Sequence, residues 1–325
     1  MRDVAARAGV SLKTVSRVLN DEPGVLPAPS TRVRDAALAL GYQRNESAAA
    51  LRRAGQSSRT LGLVIEDVGN PFYAALIKAV ERVARPRGYL LVAGSSDQDQ
   101  VVERQLIASL CARRVEGLLV VPSSPDLGYL ADELAHGTAV VALDRPLRGV
   151  DVDSVVSGNA DGARSAVDHL VALGHRRIGY VGDTATYTAA ERLRGYREAL
   201  TAHALPDEPE LRRVAHDAAA AEAATADLLA TTTVTALFTG NNLLTQGAIR
   251  ALGARRRHVA LVGFDDFALA DLLDPSVTVV AQDAAALGRH AAELLFARID
   301  GDDGPRRQLV LATELIARGS SLPAP

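Results

Sequence analysis

Asp3-Val4-Ala5-Ala6-Arg7-Ala8-Gly9-Val10-Ser11-Leu12-Lys13-Thr14-Val15-Ser16-Arg17-Val18-Leu19-Asn20 holds two short helical patterns that meet at Gly9. Ala5 is small enough to lie where two crossing helices touch, and Gly9 supplies the positive φ that a tight turn needs. Ser11 is placed to cap the second helix. In that helix Val15 and Val18 lie three residues apart and pack inward, while Lys13, Thr14 and Arg17 project away. This division of faces suits a helix-turn-helix, whose second helix lies in the DNA major groove. The bland alternative is an amphipathic hairpin whose basic face is only solvated.

Charge distribution around this stretch favours the DNA reading. The formal net charge of −3 at first argues against a nucleic-acid partner. Residues 1–60, however, carry ten basic and five acidic side chains, a net of +5, which leaves −8 for the remainder. A basic head on an acidic body is expected of a DNA reader joined to a domain with other work. Pro23-Gly24 and Pro27-Ala28-Pro29 read as further breaks between short helices over residues 1–42. Residues 43–59 are polar and Arg-rich and end in Gly55-Gln56-Ser57-Ser58, which reads as a linker.

Beyond Thr60 the rhythm changes to short apolar runs alternating with amphipathic stretches. Strands are expected at Leu61–Ile65, Leu90–Ala93, Gly117–Val121, Ala139–Leu143, Ser154–Val156, Ile178–Val181, Ala236–Thr239, Val259–Val262 and Val277–Val280. Helical patterns lie between most of them; in one, residues 284–299, Leu287, Ala291, Leu294 and Leu295 share a face. Strand, helix, strand at this spacing implies parallel sheets covered on both faces. The strands are too many for one small sheet, so two sequential α/β subdomains are expected, with ligands held by loops at the carboxyl ends of the strands.

The totals agree. A chain of 325 residues, 48% hydrophobic and 23% charged, suits two or three compact soluble units. Cys111 has no partner for a disulfide and reads as a small buried hydrophobe. No apolar run reaches the ~18 residues of a membrane span, and the start lacks the apolar stretch of a secretion signal. A cytoplasmic protein without a membrane partner is expected. The seven His and one Cys show no metal-ligand spacing, and there is neither a Gly-rich phosphate loop nor a G-x-S-x-G elbow. No enzyme activity, metal or cofactor is expected.

The strings Asp-Val-Ala, Ala-Gly-Val-Ser and Thr-Val-Ser-Arg-Val-Leu-Asn resemble the head of the LacI/GalR (lactose-repressor) family. The resemblance implies that Leu12, Lys13 and Arg17 face base edges, Arg being suited to bidentate contact with guanine. Thr14 and Ser16 would contact phosphates and set register. Gly41-Tyr42-Gln43-Arg44-Asn45, followed by Ala48 and Leu51, resembles the family's hinge. There Asn45, Ala48 and Leu51 would reach DNA, with Leu51 wedged into the minor groove. Leu26 and Pro29 stand where relatives offer hydroxyls to the backbone, and Arg44 replaces a Pro.

Similarity extends over the body through Leu61-Gly62-Leu63-Val64 to Asn70-Pro71-Phe72-Tyr73, Leu143-Asp144-Arg145-Pro146, His169 to Ile178, Glu191 to Tyr196, and Val262-Gly263-Phe264-Asp265-Asp266. It implies an α/β fold: a helix-turn-helix head on a periplasmic-binding-protein-like core of two doubly wound parallel-sheet subdomains, with three crossings near 156, 282 and 313. The expected boundaries are 1–43 for the head, 44–59 for hinge helix and linker, 60–156 plus 283–312 for one subdomain, and 157–282 plus 313–325 for the other. The family's ligand positions map onto Phe72, Tyr73, Asp144, Arg192, Asn241, Asp265 and Gln282, a set of carboxylates, amides, one guanidinium and aromatic rings that suits a polyol. Asn242 stands where relatives usually have Asp and can still cap its helix; Gly158 also replaces an Asp. With no Trp, stacking falls to Phe72, Tyr73 or Tyr187. His169 and His175 read as structural, and no ligand residue is assigned within Val214–Ala224.

These features imply a sequence-specific DNA-binding regulator, a repressor by family habit. It would act as a homodimer on a pseudo-palindromic operator, controlled by a small polar effector, a sugar. No apolar heptads follow Arg318, so a coiled-coil tail is not expected. Two alternatives stand beside this: a regulator of the same fold that has lost its effector, which Asn242 and Gly158 keep open, and a sugar-binding module without DNA control. The second should carry a secretion signal and lack a helix-turn-helix.

Overall fold

The computed structural model describes residues 1–19, 23–42, 58–124, 127–135, 137–253 and 258–321. The chain divides into two compact units, Met1–Ser58 and Arg59–Pro325.

The head contains helices α1 (Arg2–Ala8), α2 (Leu12–Leu19) and α3 (Pro27–Ala39). Gly9 closes α1 in the left-handed conformation, φ 64° and ψ 41°, which a side chain would strain. Ser11 Oγ accepts from the Thr14 amide at 3.1 Å and so caps α2. One expectation is corrected here. Pro27-Ala28-Pro29 opens α3 rather than breaking the chain, because a first-turn amide has no intrahelical partner to lose. Val4, Ala8, Val15, Val18, Val33 and Ala36 form the small core that holds the three helices.

In the second unit the elements run β1 (Thr60–Ile65), α4 (Pro71–Ala84), β2 (Leu90–Ser95), α5 (Gln100–Ala112), β3 (Gly117–Val120), α6 (Ala131–Ala135), β4 (Ala139–Leu143), β5 (Asp153–Ser157), α7 (Asn159–Ala172), β6 (Ile178–Gly182), α8 (Tyr187–Ala202), β7 (Arg212–Val214), α9 (Ala218–Thr231), β8 (Ala236–Thr239), α10 (Asn242–Leu252), β9 (Ala260–Phe264), β10 (Thr278–Ala281), α11 (Ala284–Ile299), β11 (Gln308–Leu311) and β12 (Glu314–Ile316). They build two six-stranded sheets of matching order, β11-β5-β4-β3-β1-β2 and β12-β10-β9-β8-β6-β7. Every pairing is parallel except β10 with β12. Helices cover both faces, which is why β3, β6, β8 and β9 are buried at every residue and read as unbroken apolar runs.

The chain leaves the first sheet after β5, builds the second with β6 to β10, returns with α11 and β11, and ends in the second with β12. Arg298 pins the return. Its guanidinium grips the buried Asp153 at 2.6 and 2.9 Å, and donates to the carbonyls of Asp302 and Gly304 in the turn before β11. Gly195 lets α8 lie directly on α7, because a Cβ there would fall 2.0 Å from the Ala160 carbonyl oxygen. Strands β7, β11 and β12 were not expected from the sequence. Each is a sheet edge of three or four residues without a buried residue, and in β11 and β12 a polar residue leads a short apolar run, Leu309-Val310-Leu311 and Leu315-Ile316.

Candidate functional site

All seven residues mapped as ligand contacts line one cleft, walled by the carboxyl ends of the strands of both sheets. Strands β4 and β9 hold the same place in their respective sheets, and each is followed by an aspartate. Asp144 and Asp265 adopt left-handed backbones, φ 64° and 67°, a conformation that costs free energy in a residue with a Cβ. Their amides are held at 2.8 Å by the carbonyls of Val155 and Val280. The same turn, made twice, aims one carboxylate from each sheet into the cleft.

The second sheet's wall is organised by Arg192 on α8. Its Nε donates to Asn159 Oδ1 at 2.8 Å, one terminal nitrogen donates to the Gly240 carbonyl at 2.6 Å and lies 3.4 Å from Asp265 Oδ2, and the guanidinium sits 3.8 Å above the Phe264 ring. Gln282, just beyond β10, donates its amide to the other oxygen of Asp265 at 2.5 Å. Asn241 precedes α10 and accepts from the Leu244 amide at 2.9 Å. The cap of α10 is therefore Asn241, not Asn242 as the sequence reading allowed, because the chain is extended at 241 and already helical at 242.

The first sheet's wall holds residues that the sequence reading did not single out. Glu66, directly after β1, pairs with Arg145 and accepts from the Tyr73 hydroxyl at 3.2 Å and from Gln98 Nε2 at 2.8 Å. Arg145 also donates to the Pro122 carbonyl at 3.1 Å and lies 3.8 Å from Asp144 Oδ2. Tyr73 is 4% exposed and packs into the core of this lobe, with Phe72 edge-on to it at 5.1 Å. Phe72 is the more open ring, and Tyr187 is not among the lining residues. Asp183, Thr186 and His216 line the far side of the cleft.

Asn70 and Asn242 bridge the two lobes. Asn70 caps α4 and Asn242 opens α10, and their side-chain amides exchange hydrogen bonds of 2.9 and 3.4 Å. The substitution noticed in the sequence thus supplies a self-matching amide pair, which a carboxylate could not complete.

Three buried polar atoms of the cleft's described residues have no hydrogen-bond partner, the acceptors Asp144 Oδ1 and Gln282 Oε1 and the donor Arg145 Nε. Burial pushes the Asp144 carboxyl up to about 6, against the pull of Arg145 and Arg192. Burial, and then the Asp144 charge, hold the Tyr73 phenol protonated well above its usual range. Unsatisfied buried polar groups are costly, and hydroxyls, which both donate and accept, suit all three.

In the head, Leu12 is 47% exposed, Lys13 is exposed, and Thr14, Ser16 and Arg17 are partly so, while Val15 and Val18 are buried. Arg17 donates to the Pro23 carbonyl at 2.5 Å, and the Thr14 hydroxyl lies 2.9 Å from Ser11 Oγ. Asn45, Ala48 and Leu51 lie outside the described residues. His175 is buried with Nδ1 2.8 Å from the Thr235 hydroxyl, remote from the cleft lining. Among the described residues no helix is long and apolar enough to cross a membrane, and no group of His, Cys, Asp and Glu could hold a metal ion.

Comparison with known proteins gives concordant matches. The family described as bacterial regulatory proteins, lacI family, matches residues 1–45, and the periplasmic binding protein-like domain matches residues 167–321. Over 98% of its length the chain is 34% identical to the HTH-type transcriptional regulator GalR of Salmonella typhimurium, covering 95% of that protein. A solved complex of the transcriptional regulator CelR with cellobiose shares 31% identity over 98% of both chains, with a TM-score of 0.73. The lac repressor dimer bound to operator and the anti-inducer ONPF shares 26% identity over 98% of both chains, with a TM-score of 0.85.

Proposed function

This chain belongs to the lacI family of bacterial regulatory proteins and is a DNA-binding transcription regulator, and from that premise we propose that it is a repressor whose effector is a small sugar held in the cleft of the second unit. The observation that carries the effector reading is the convergence of Phe72, Tyr73, Asp144, Arg192, Asn241, Asp265 and Gln282 on one cleft in which two buried acceptors await donors. The cellobiose complex of CelR supports a sugar, and the operator complex of the lac repressor supports a homodimer on DNA.

On this reading Leu12, Lys13 and Arg17 address base edges, Thr14 and Ser16 address phosphates, and Asn45, Ala48 and Leu51 belong to the segment that meets the operator's centre. Two heads of a homodimer grip the half-sites of a pseudo-palindrome. The sugar bridges Asp144 on one lobe and Asp265 with Gln282 on the other, and so favours one relative placement of the lobes. It can shift DNA affinity only by as much as its affinity differs between the DNA-competent and DNA-incompetent states.

A thermal-shift screen of pentoses, hexoses and disaccharides tests this. A sugar at about 100 times its dissociation constant stabilises the folded protein by about 2.7 kcal/mol, and the same sugar changes operator affinity. Asp265→Asn should abolish that stabilisation and leave DNA binding without sugar unchanged. Asparagine is preferred to alanine because it keeps an acceptor oxygen beside the buried Arg192 and tolerates the left-handed backbone at 265. A normal sugar response in the variant would refute the site.

A further inference from the structure

The cleft contains two buried guanidiniums, an arrangement that would attract an anion, yet both are already neutralised within their own wall. Arg192 is taken up by Asp265, the Gly240 carbonyl and Asn159. Arg145, whose side chain is 7% exposed, is taken up by Glu66, with the Pro122 carbonyl and Asp144 beside it. The lining carries four carboxylates, Glu66, Asp144, Asp183 and Asp265, against these two guanidiniums, and His216 lies 3.2 Å from Asp183. Of the unpartnered buried atoms on lining residues, Asp144 Oδ1 and Gln282 Oε1 are acceptors, and the third, Arg145 Nε, is a donor 3.8 Å from Asp144 Oδ2. Asp265 orients the Gln282 amide so that its oxygen is left over, and Asp144 keeps one oxygen free. The cleft therefore offers its occupant two acceptors and one N–H donor, and neither guanidinium lacks a carboxylate counter-charge.

We propose that Glu66 is a specificity residue: by occupying Arg145 it sets the cleft for uncharged polyhydroxylated ligands and against phosphorylated or carboxylated ones. This rests on the cleft being the effector site. The assignment to Glu66 follows from geometry. Of the carboxylates near Arg145, Glu66 makes the direct contact, whereas Asp144 stands 3.8 Å off. Glu66 is itself fixed by Tyr73 and Gln98, so it cannot swing aside for a competing anion. Removing its charge would leave a buried cation facing the ligand space, and an anion would bring the balancing charge.

The test pairs neutral sugars with their anionic derivatives (glucose with glucose 6-phosphate and gluconate, ribose with ribose 5-phosphate), measured by calorimetry and thermal shift on the full chain. Wild type should bind a neutral sugar at least 10-fold more tightly than its anionic partners. Glu66→Gln should narrow or invert that ratio, while Glu66→Asp preserves it. If removal of the carboxylate compromises folding, the stability of Glu66→Ala is followed against added acetate. It should rise steeply with acetate while wild type does not, because the added carboxylate takes the vacated place beside Arg145. Anionic derivatives binding wild type as tightly as neutral sugars would overturn the proposal and leave the effector reading standing. So would a Glu66→Gln protein that keeps its neutral ligand and gains nothing for anions, or a Glu66→Ala protein indifferent to acetate. Failure of every sugar, charged or not, to bind wild type would overturn both.

Discussion

Arg17 donates to the Pro23 carbonyl from a partly exposed position, a hydrogen bond that contact with a base would replace. Arg17→Ala should reduce the preference for a site selected from a random library over scrambled DNA by about 10- to 100-fold, the worth of one bidentate base contact. Competition titration measures this, and sugar-induced stabilisation should be unchanged. Asp144 shows the opposite economy, a residue that weakens the fold for the sake of the site. Its folded carboxyl titrates near pH 6, above the ~3.9 of an unfolded aspartate, so the folded state holds the extra proton between those values. The resulting contribution to stability is complete below about pH 4 and is lost as pH rises through 6. Asp144→Asn should therefore be more stable than wild type by about 2–3 kcal/mol at pH 7.5. Urea titrations should show the difference fading towards pH 4, and the variant should bind its sugar more weakly.

Among the elements, the strand-end turns and the helix caps carry the site. The Asn70–Asn242 pair ties the start of α4 to the start of α10 across the cleft. Asn242→Ala removes both hydrogen bonds, and sugar affinity measured by calorimetry should fall about 5- to 10-fold, the net worth of roughly one or two neutral hydrogen bonds. What was legible in the sequence divides at this scale. Gly9, Ser11 and the valines of α2 declare the head because their partners are near neighbours in the chain. Most of the strands were legible because burial on both faces leaves unbroken apolar runs, and Asp144 and Asp265 because the strings Leu143-Asp144-Arg145-Pro146 and Val262-Gly263-Phe264-Asp265-Asp266 resemble the family's. Glu66 and Asn70 escaped notice because their meaning lies in partners 79 and 172 residues away, Arg145 and Asn242. No local spacing encodes those pairings. Pro27 and Pro29 were misread for a related reason: a proline breaks a helix or begins one according to where the first turn falls.

At the scale of the molecule, the division into Met1–Ser58 and Arg59–Pro325 separates the two proposed activities physically. A fragment of residues 59–325 should bind the sugar with a dissociation constant within about twofold of the full chain, and should show no affinity for DNA in a mobility-shift titration. Full-length protein should lose at least about 10³-fold of its DNA affinity between 50 and 200 mM salt if six or more phosphates are contacted. The matching order of the two sheets also explains how the cleft acquires paired walls: each lobe contributes the same turn from the same position, and only the side chains around it differ. The return of α11 and β11 to the first sheet bears on the protein's birth. The ribosome delivers β1 to β5 early, but that lobe lacks a covering helix and an edge strand until residue 311 has emerged, long after the strands of the second lobe. The head, whose helices close on one another within residues 2–39, is complete almost at once. A nascent chain thus completes its helix-turn-helix while the cleft-bearing unit is still being made.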